Sequence, residues 1–318
     1  MMLAIVLTCI LSVQPPDPGI DSLLAETQGN AAMWRDYLSR VSGDTLECAL
    51  YLLRKIPRLD RLEMTERALD DHIGGALVHA QDLPEEVFRE SLLWYRVSRE
   101  PVQAWRKTLA DTLAGLGLTE PDSLPRWIRT NLDTLPRRFL GETQPPLSVL
   151  ASGGGTETEL QILLVSALRA LGFPARVVTG WFSGDQGGRR SWVELWEQGG
   201  WAPLEEQDFQ GLVLALEESR GAILTSRRTA VCTLVTVPPK WDGEFMLSIN
   251  LPANGRYVPL DWVMPSTEGP DTLLLGEGEL LLMLTRRLPS GGVEVWNKQL
   301  FTVPGTALPA VMDPDSSR

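Results

Sequence analysis

The chain is 318 residues long and carries 29 Lys+Arg against 41 Asp+Glu, a formal charge of −12. That length suits about two domains of ordinary size. Its 43% hydrophobic and 22% charged content excludes a disordered or membrane-embedded chain, and its acidity excludes nucleic acid as a main partner, because phosphate binding needs a basic footprint.

Met1–Val13 is apolar and uncharged and precedes Pro15, Pro16 and Pro18. It is too short to span a bilayer, where about 20 residues are needed. The expectation is an export signal over 1–18, although a charged n-region and an A-x-A site are missing. A buried first helix and an over-long start are the rival readings, and the chain is otherwise cytoplasmic. Membrane contact is expected only through this segment.

Residues 19–140 read as helical. Asp44–Ile56 has an apolar stripe that Pro57 stops. Met64–Ala80, Pro84–Val97 and Pro101–Leu116 continue the pattern. After Ser152-Gly153-Gly154-Gly155, the spacing of Leu160, Leu163, Leu164, Ala167, Leu168 and Leu171 predicts a helix with one buried face. Thr156 and Glu159 form a T-x-x-E capping box at its start, and Gly172 stops it.

Short strands follow at Ala175–Trp181, Ser191–Glu197 and Trp201–Glu206, the last two joined at Gly199-Gly200. Six further strands are predicted at Thr229–Val237, Glu244–Leu251, Arg256–Val263, Thr272–Leu275, Glu279–Arg286 and Val293–Val303. The tail 306–318 reads as loose.

The stretches Ala167–Gly180 (ALRALGFPARVVTG), Ser191–Glu194 (SWVE) and Trp201–Leu204 (WAPL) stand in a specific order behind a glycine turn and a helix. Over residues 152–208 this resembles the transglutaminase-like superfamily of papain-like folds. There a G-x-C motif starts a helix, L-R-x-x-G-I-P-A-R leads into a strand, and H-x-W-V-E and W-x-x-x-D follow. Trp94–Trp105 (WYRVSREPVQAW) also resembles a segment found before this domain in some secreted bacterial members. The resemblance implies an α+β fold: a helical N-terminal region, a transglutaminase-like core with a small antiparallel sheet over 141–222, and a β-sandwich-like domain over 223–305.

The family's chemistry, as the resemblance implies it, uses a thiolate at the helix start, a histidine as base, and an acid that orients the histidine. Alignment puts those positions at Gly155, Arg190 and Glu205. Arginine is no base, because its pKa lies above about 12. Neither histidine nor lysine occurs between 108 and 239. Ser152, Thr156 and Ser191 are hydroxyls near the right places, but a hydroxyl without a base is a poor nucleophile. An Arg190–Glu205 ion pair is expected to stand where the family has its His and Asp.

The thiols and imidazoles elsewhere offer little. Cys9, Cys48 and Cys232 cannot form a disulfide framework or a Cys-rich zinc site. Cys48 and Cys232 read as core. His72 and His79, at i and i+7 on one helix face, are too far apart to share an ion, so no metal is expected. Without a G-x-x-x-x-G-K-[ST] pattern the triple glycine is no nucleotide loop, and no cofactor is expected.

The functional expectation is therefore a transglutaminase-like pseudoenzyme, kept as a binding or scaffolding module. Its candidate cleft comprises Ser152, Gly154, Thr156, Trp181, Trp192 and Trp201, with a protein, peptide or glycan as ligand. The tryptophans also suit a core role. The alternative is a hydrolase or transferase of the same class with an unconventional site, built on Glu205, Glu206 and Asp208 or on nearby hydroxyls.

Overall fold

The computed structural model describes residues 19–136, 143–184, 187–229, 231–237, 245–260, 271–276, 278–303 and 308–311. The apolar run Met1–Val13, with Cys9, lies outside the described residues. The fold is α+β. The helices are α1 (Ile20–Glu26), α2 (Ala31–Arg40), α3 (Gly43–Lys55), α4 (Arg58–Glu63), α5 (Glu66–Leu77), α6 (Glu85–Val87), α7 (Arg106–Gly115) and α8 (Ser123–Asn131). Next come β1 (Asp133–Thr134), α9 (Pro146–Ser152), β2 (Gly154–Gly155) and α10 (Glu157–Ala170). The strands that follow are β3 (Ala175–Phe182), β4 (Gly188–Glu197), β5 (Gly200–Pro203), β6 (Leu212–Glu217), β7 (Val231–Val237), β8 (Phe245–Ala253), β9 (Arg256–Pro259), β10 (Asp271–Gly276), β11 (Gly278–Arg287), β12 (Val293–Val303) and β13 (Leu308–Val311). Among the described residues no helix is long and apolar enough to cross a membrane.

The chain divides into two compact units. The first holds residues up to Tyr95 together with Val102–Thr108; the second holds Arg96–Pro101 and everything from Leu109 on. In the first unit, the apolar stripe predicted over 44–56 becomes α3, whose Ala49, Leu52 and Leu53 are fully buried. The helix predicted over 84–97 ends early. After α6 it widens into a π turn at Phe88–Leu92 and then leaves helical geometry. Asp71 on α5 accepts from the Arg106 and Lys107 amides at 2.7 and 2.9 Å, supplying the partners that the first turn of α7 lacks.

In the second unit a four-stranded antiparallel sheet has the order β5-β4-β3-β6. Glu197 and Gly200 flank the β4–β5 turn, with Gln198 at φ 50° and Gly199 at φ 80°. Two positive φ values in a two-residue loop suit the right-handed strand twist, which explains the glycine. Gly180 has a different reason. A Cβ there would meet Trp192, Phe182 and Leu212 at 2.7–2.9 Å, so the missing side chain is what lets both rings lie against β3. α10 reaches this sheet through Gln161, which donates to the Ser191 carbonyl, and Arg169, which donates to the Ala175 carbonyl.

The strands after residue 229 form two more sheets, β12-β11-β8-β9 and β10-β7-β13. Five of the six predicted strands match within about two residues, the ordinary latitude of strand ends; the strand predicted over 256–263 ends at Pro259. Leu280, Leu282 and Leu284 of β11 alternate inward and pack with Trp181 and Leu214 of the first sheet. Two strands go beyond the sequence reading. β6 is buried on both faces, so it shows no alternation to betray it. Leu308–Val311, in the segment expected to be loose, pairs with β7 in parallel, Leu308 opposite Leu234.

Candidate functional site

The start of α10 is the glycine turn to which the sequence resemblance assigns a nucleophile. Thr156 is the N-cap, and the capping box is present: the Thr156 hydroxyl accepts from the Glu159 amide, and Glu159 Oε2 accepts from the Thr156 amide at 2.8 Å. Glu159 is 3% exposed, and its Oε1 accepts from the Gln144 amide at 2.8 Å. The carboxylate thus sits at the positive end of the helix, held by backbone donors on both oxygens.

Gly154 and Gly155 are buried and pair in parallel with Asp133 and Thr134. A Cβ on Gly155 would lie 3.0 Å from Glu159 Cβ, 3.1 Å from Val149 Cγ1 and 3.2 Å from Glu159 Oε2. A Cβ on Gly154 would lie 2.6 Å from the Asp133 carbonyl oxygen. Packed backbone, not flexibility, explains these glycines. α10 begins at Glu157, an exposed residue two positions beyond Gly155. Neither residue carries sulfur.

The Ser152 hydroxyl donates toward the Val149 and Gly154 carbonyls at 3.1 and 2.9 Å, closing the α9 C-terminus. Thr156 is occupied as a cap. Both of these hydroxyls thus do backbone work.

Register places Arg190 opposite Gly180, with its guanidinium 4.5 Å from the Phe182 ring centroid. Glu205 is half-exposed and pairs with Arg129 of α8 at 2.6 Å. The expected Arg190–Glu205 pair is thereby corrected: α8 brings a nearer cation to Glu205, while Arg190 lies along an aromatic ring. Gly155, Arg190 and Glu205 each have their own neighbours.

What the sheet does assemble is a buried ionic cluster built from motif residues. Arg176, the arginine of the P-A-R stretch, donates to Glu194 of the W-V-E stretch through Nε and Nη2 at 3.0 and 2.6 Å. Glu194 Oε1 accepts from Trp192 Nε1 at 2.9 Å and from Arg228 Nε at 2.8 Å. Arg176 lies 3.9 Å from the centroid of the Trp201 ring. Burial pushes the Arg176 pKa down, and Glu194 opposes that shift. Glu217 sits beside this group. Its burial would raise its pKa, but Arg220, Ser219 and Arg176 outweigh that and hold it below the usual carboxylate value. Arg169, the arginine of the A-L-R-A stretch, is fully buried, donates to the Ala175 and Arg96 carbonyls, and is pushed down to about 10 by burial. The sequence reading used these charged residues to recognise the frame and missed that they are interior. Their signal was present as charge at both ends of otherwise apolar stretches.

A second polar row crosses the sheet. Thr179 donates to Glu218, Thr179 and Ser191 hydroxyls lie 2.8 Å apart, and Arg189 donates to Glu218 at 3.0 Å.

The tryptophans do not line one cleft. Trp181 belongs to the core shared with β8 and β11, and Trp192 to a core with Phe182, Leu212 and Leu224. Trp201 meets Trp196 edge-on at 5.6 Å. A small hollow beside Leu113, Trp127 and Leu163 holds only about 10 Å³, and the surface it exposes is apolar.

Both histidines lie in the first unit. His72 is fully buried, with Nε2 2.9 Å from the Gln103 carbonyl and its ring edge-on to Trp105. Burial lowers the His79 pKa. Cys48 is buried in the first unit and pushed up to about 11 by burial. Cys232 lies on β7, and its side chain is outside the described set.

The Transglutaminase-like superfamily model matches residues 110–206. No curated protein matches the chain. Among solved structures, one titled a "Putative Cysteine Protease" from Cytophaga hutchinsonii is 9% identical with a TM-score of 0.31, over 70% of this chain and 57% of that one. A "putative protease" from Parabacteroides distasonis is 16% identical with a TM-score of 0.32, over 73% and 54%. The chain thus spans little more than half the length of either.

Proposed function

We infer that the transglutaminase-like core this chain contains works without a cysteine–histidine pair and serves as a binding or scaffolding module. The observation that supports this is the α10 start. The position that would carry a thiolate is a glycine against Val149 and Glu159, and the helix's positive end already holds the Glu159 carboxylate. A thiolate there would have to displace that carboxylate before the helix could stabilise it. The only two histidines of the chain lie in the other unit. Meanwhile the framework residues Arg169, Arg176 and Glu194 are kept and buried, which preserves the scaffold without its chemistry.

A protein or peptide is the partner proposed, met outside the cell if Met1–Val13 directs export. The test is release of ammonia, amine incorporation or peptide cleavage with glutamine- and asparagine-containing peptides, using the full chain. The expected rate equals that of the peptide alone. Turnover above that rate overturns the reading, and its loss in Cys48→Ser or Cys232→Ser would identify the thiol responsible.

A further inference from the structure

Between Arg96 and Pro101 the chain belongs to the second unit, although the residues on either side of this stretch belong to the first. The stretch is a compact turn. The Glu100 side chain, 1% exposed, accepts from the Val97 and Ser98 amides at 2.6 and 2.8 Å, so much of its hydrogen bonding is internal. Its ties to the core include two hydrogen bonds. Arg169 donates to the Arg96 carbonyl at 2.8 Å, and the Ser98 hydroxyl donates to Glu218 Oε2 at 2.7 Å. Glu218 is the end of the polar row: its other oxygen takes Thr179 and Arg189, and Thr179 leads on to Ser191.

We propose that Arg96–Pro101 is a strap that covers the Glu218–Thr179–Ser191 row and is latched there by Ser98. The Glu100 bonds make the turn one unit, held against the core by Ser98 and Arg169, so loss of the Ser98 latch is expected to loosen those bonds as well. With the latch released, Glu218 Oε2 loses a donor, and a buried carboxylate oxygen without one is costly. A donor from elsewhere satisfies the same need. The partner chemistry that fits is an extended peptide bringing one side-chain hydroxyl, as the strap itself does. This extends the reading of the core as a binding module, with the chain's own segment as the occupant in cis.

Hydrogen exchange of the full chain, read by mass spectrometry, tests the latch without any enzymatic assay, so its failure is separable from failure of the non-catalytic reading. Ser98→Ala and Glu218→Gln are expected to speed exchange over residues 94–102 by about tenfold, the ratio that corresponds to ~1.4 kcal/mol. Ser98→Thr keeps the hydroxyl and is expected to exchange as the parent does. Protection of α10 and β3 stays unchanged throughout. Unchanged exchange over 94–102 in either the alanine or the glutamine variant overturns the proposal. So does acceleration that spreads into α10, which would make the strap an ordinary part of the core.

Discussion

Arg176 and Glu194 face each other across β3 and β4 with side chains 3% and 0% exposed, joined by two guanidinium hydrogen bonds. Removing one partner strands the other's charge in the interior. Glu194→Ala is expected to cost about 3–5 kcal/mol, because Arg176 and Arg228 each lose the carboxylate they donate to. Urea denaturation measures it. The double variant Arg176→Met/Glu194→Leu should recover only the share that comes from stranding Arg176, because Arg228 still lacks its carboxylate.

Gly155 tests the crowding at the start of α10. Gly155→Cys is expected to lower stability by about 1–3 kcal/mol, the usual range for overpacking, because the new Cβ meets Glu159 and Val149. Removing the Cγ1 that a Cβ would meet at 3.1 Å, with Val149→Ala, should make the pair of substitutions cheaper than their sum, by about 0.5 kcal/mol or more in a double-mutant cycle. Adding Arg190→His to Gly155→Cys is expected to yield no amidase activity, since position 190 lies along the Phe182 ring.

Acid sensitivity follows from Glu217. Burial alone would raise its pKa, but the bond to Arg220 leads a set of contacts that hold it below the ordinary 4.5. A depressed carboxyl contributes stability that is complete above its unfolded value and fades as pH falls through the folded one. The midpoint of thermal unfolding should therefore drop as pH is lowered below 4.5. In Glu217→Gln, a less stable protein, that part of the pH slope should disappear.

Cys48 should behave as an inert thiol. With its pKa pushed up to about 11 by burial, roughly 0.1% is thiolate at pH 8, and the thiolate is the reactive form. Iodoacetamide at pH 8 is expected to leave the peptide containing Cys48 unmodified in the native protein and to label it fully in 6–8 M urea (a range on the order of that which unfolds most domains). Peptide mass mapping separates it from Cys9 and Cys232.

Local signals were the ones legible in the sequence. The Thr156–Glu159 capping box and the β8 and β11 strands need only neighbours a few residues away and appear where the pattern places them, and the hairpin turn falls one residue earlier, at Gln198-Gly199. Burial of charge was not legible. Nothing local to Arg176 says that Glu194 completes it, and Glu205 was matched to the wrong arginine because α8, 76 residues earlier, supplies the right one. Gly154 and Gly155 looked like a loop opening a helix, whereas pairing with Asp133 and Thr134 makes them a strand.

The parallel partnership of β13 with β7 has a consequence for how the molecule comes to exist. A chain emerging residue by residue presents β7 about seventy residues before the strand that will lie beside it, and such distant pairings form slowly. Until then one edge of β7 offers unsatisfied amides and carbonyls to any passing strand. The sheet β10-β7-β13 is therefore the last of the described sheets to be completed, and β7 is the place where a newly made chain is most open to the wrong companion.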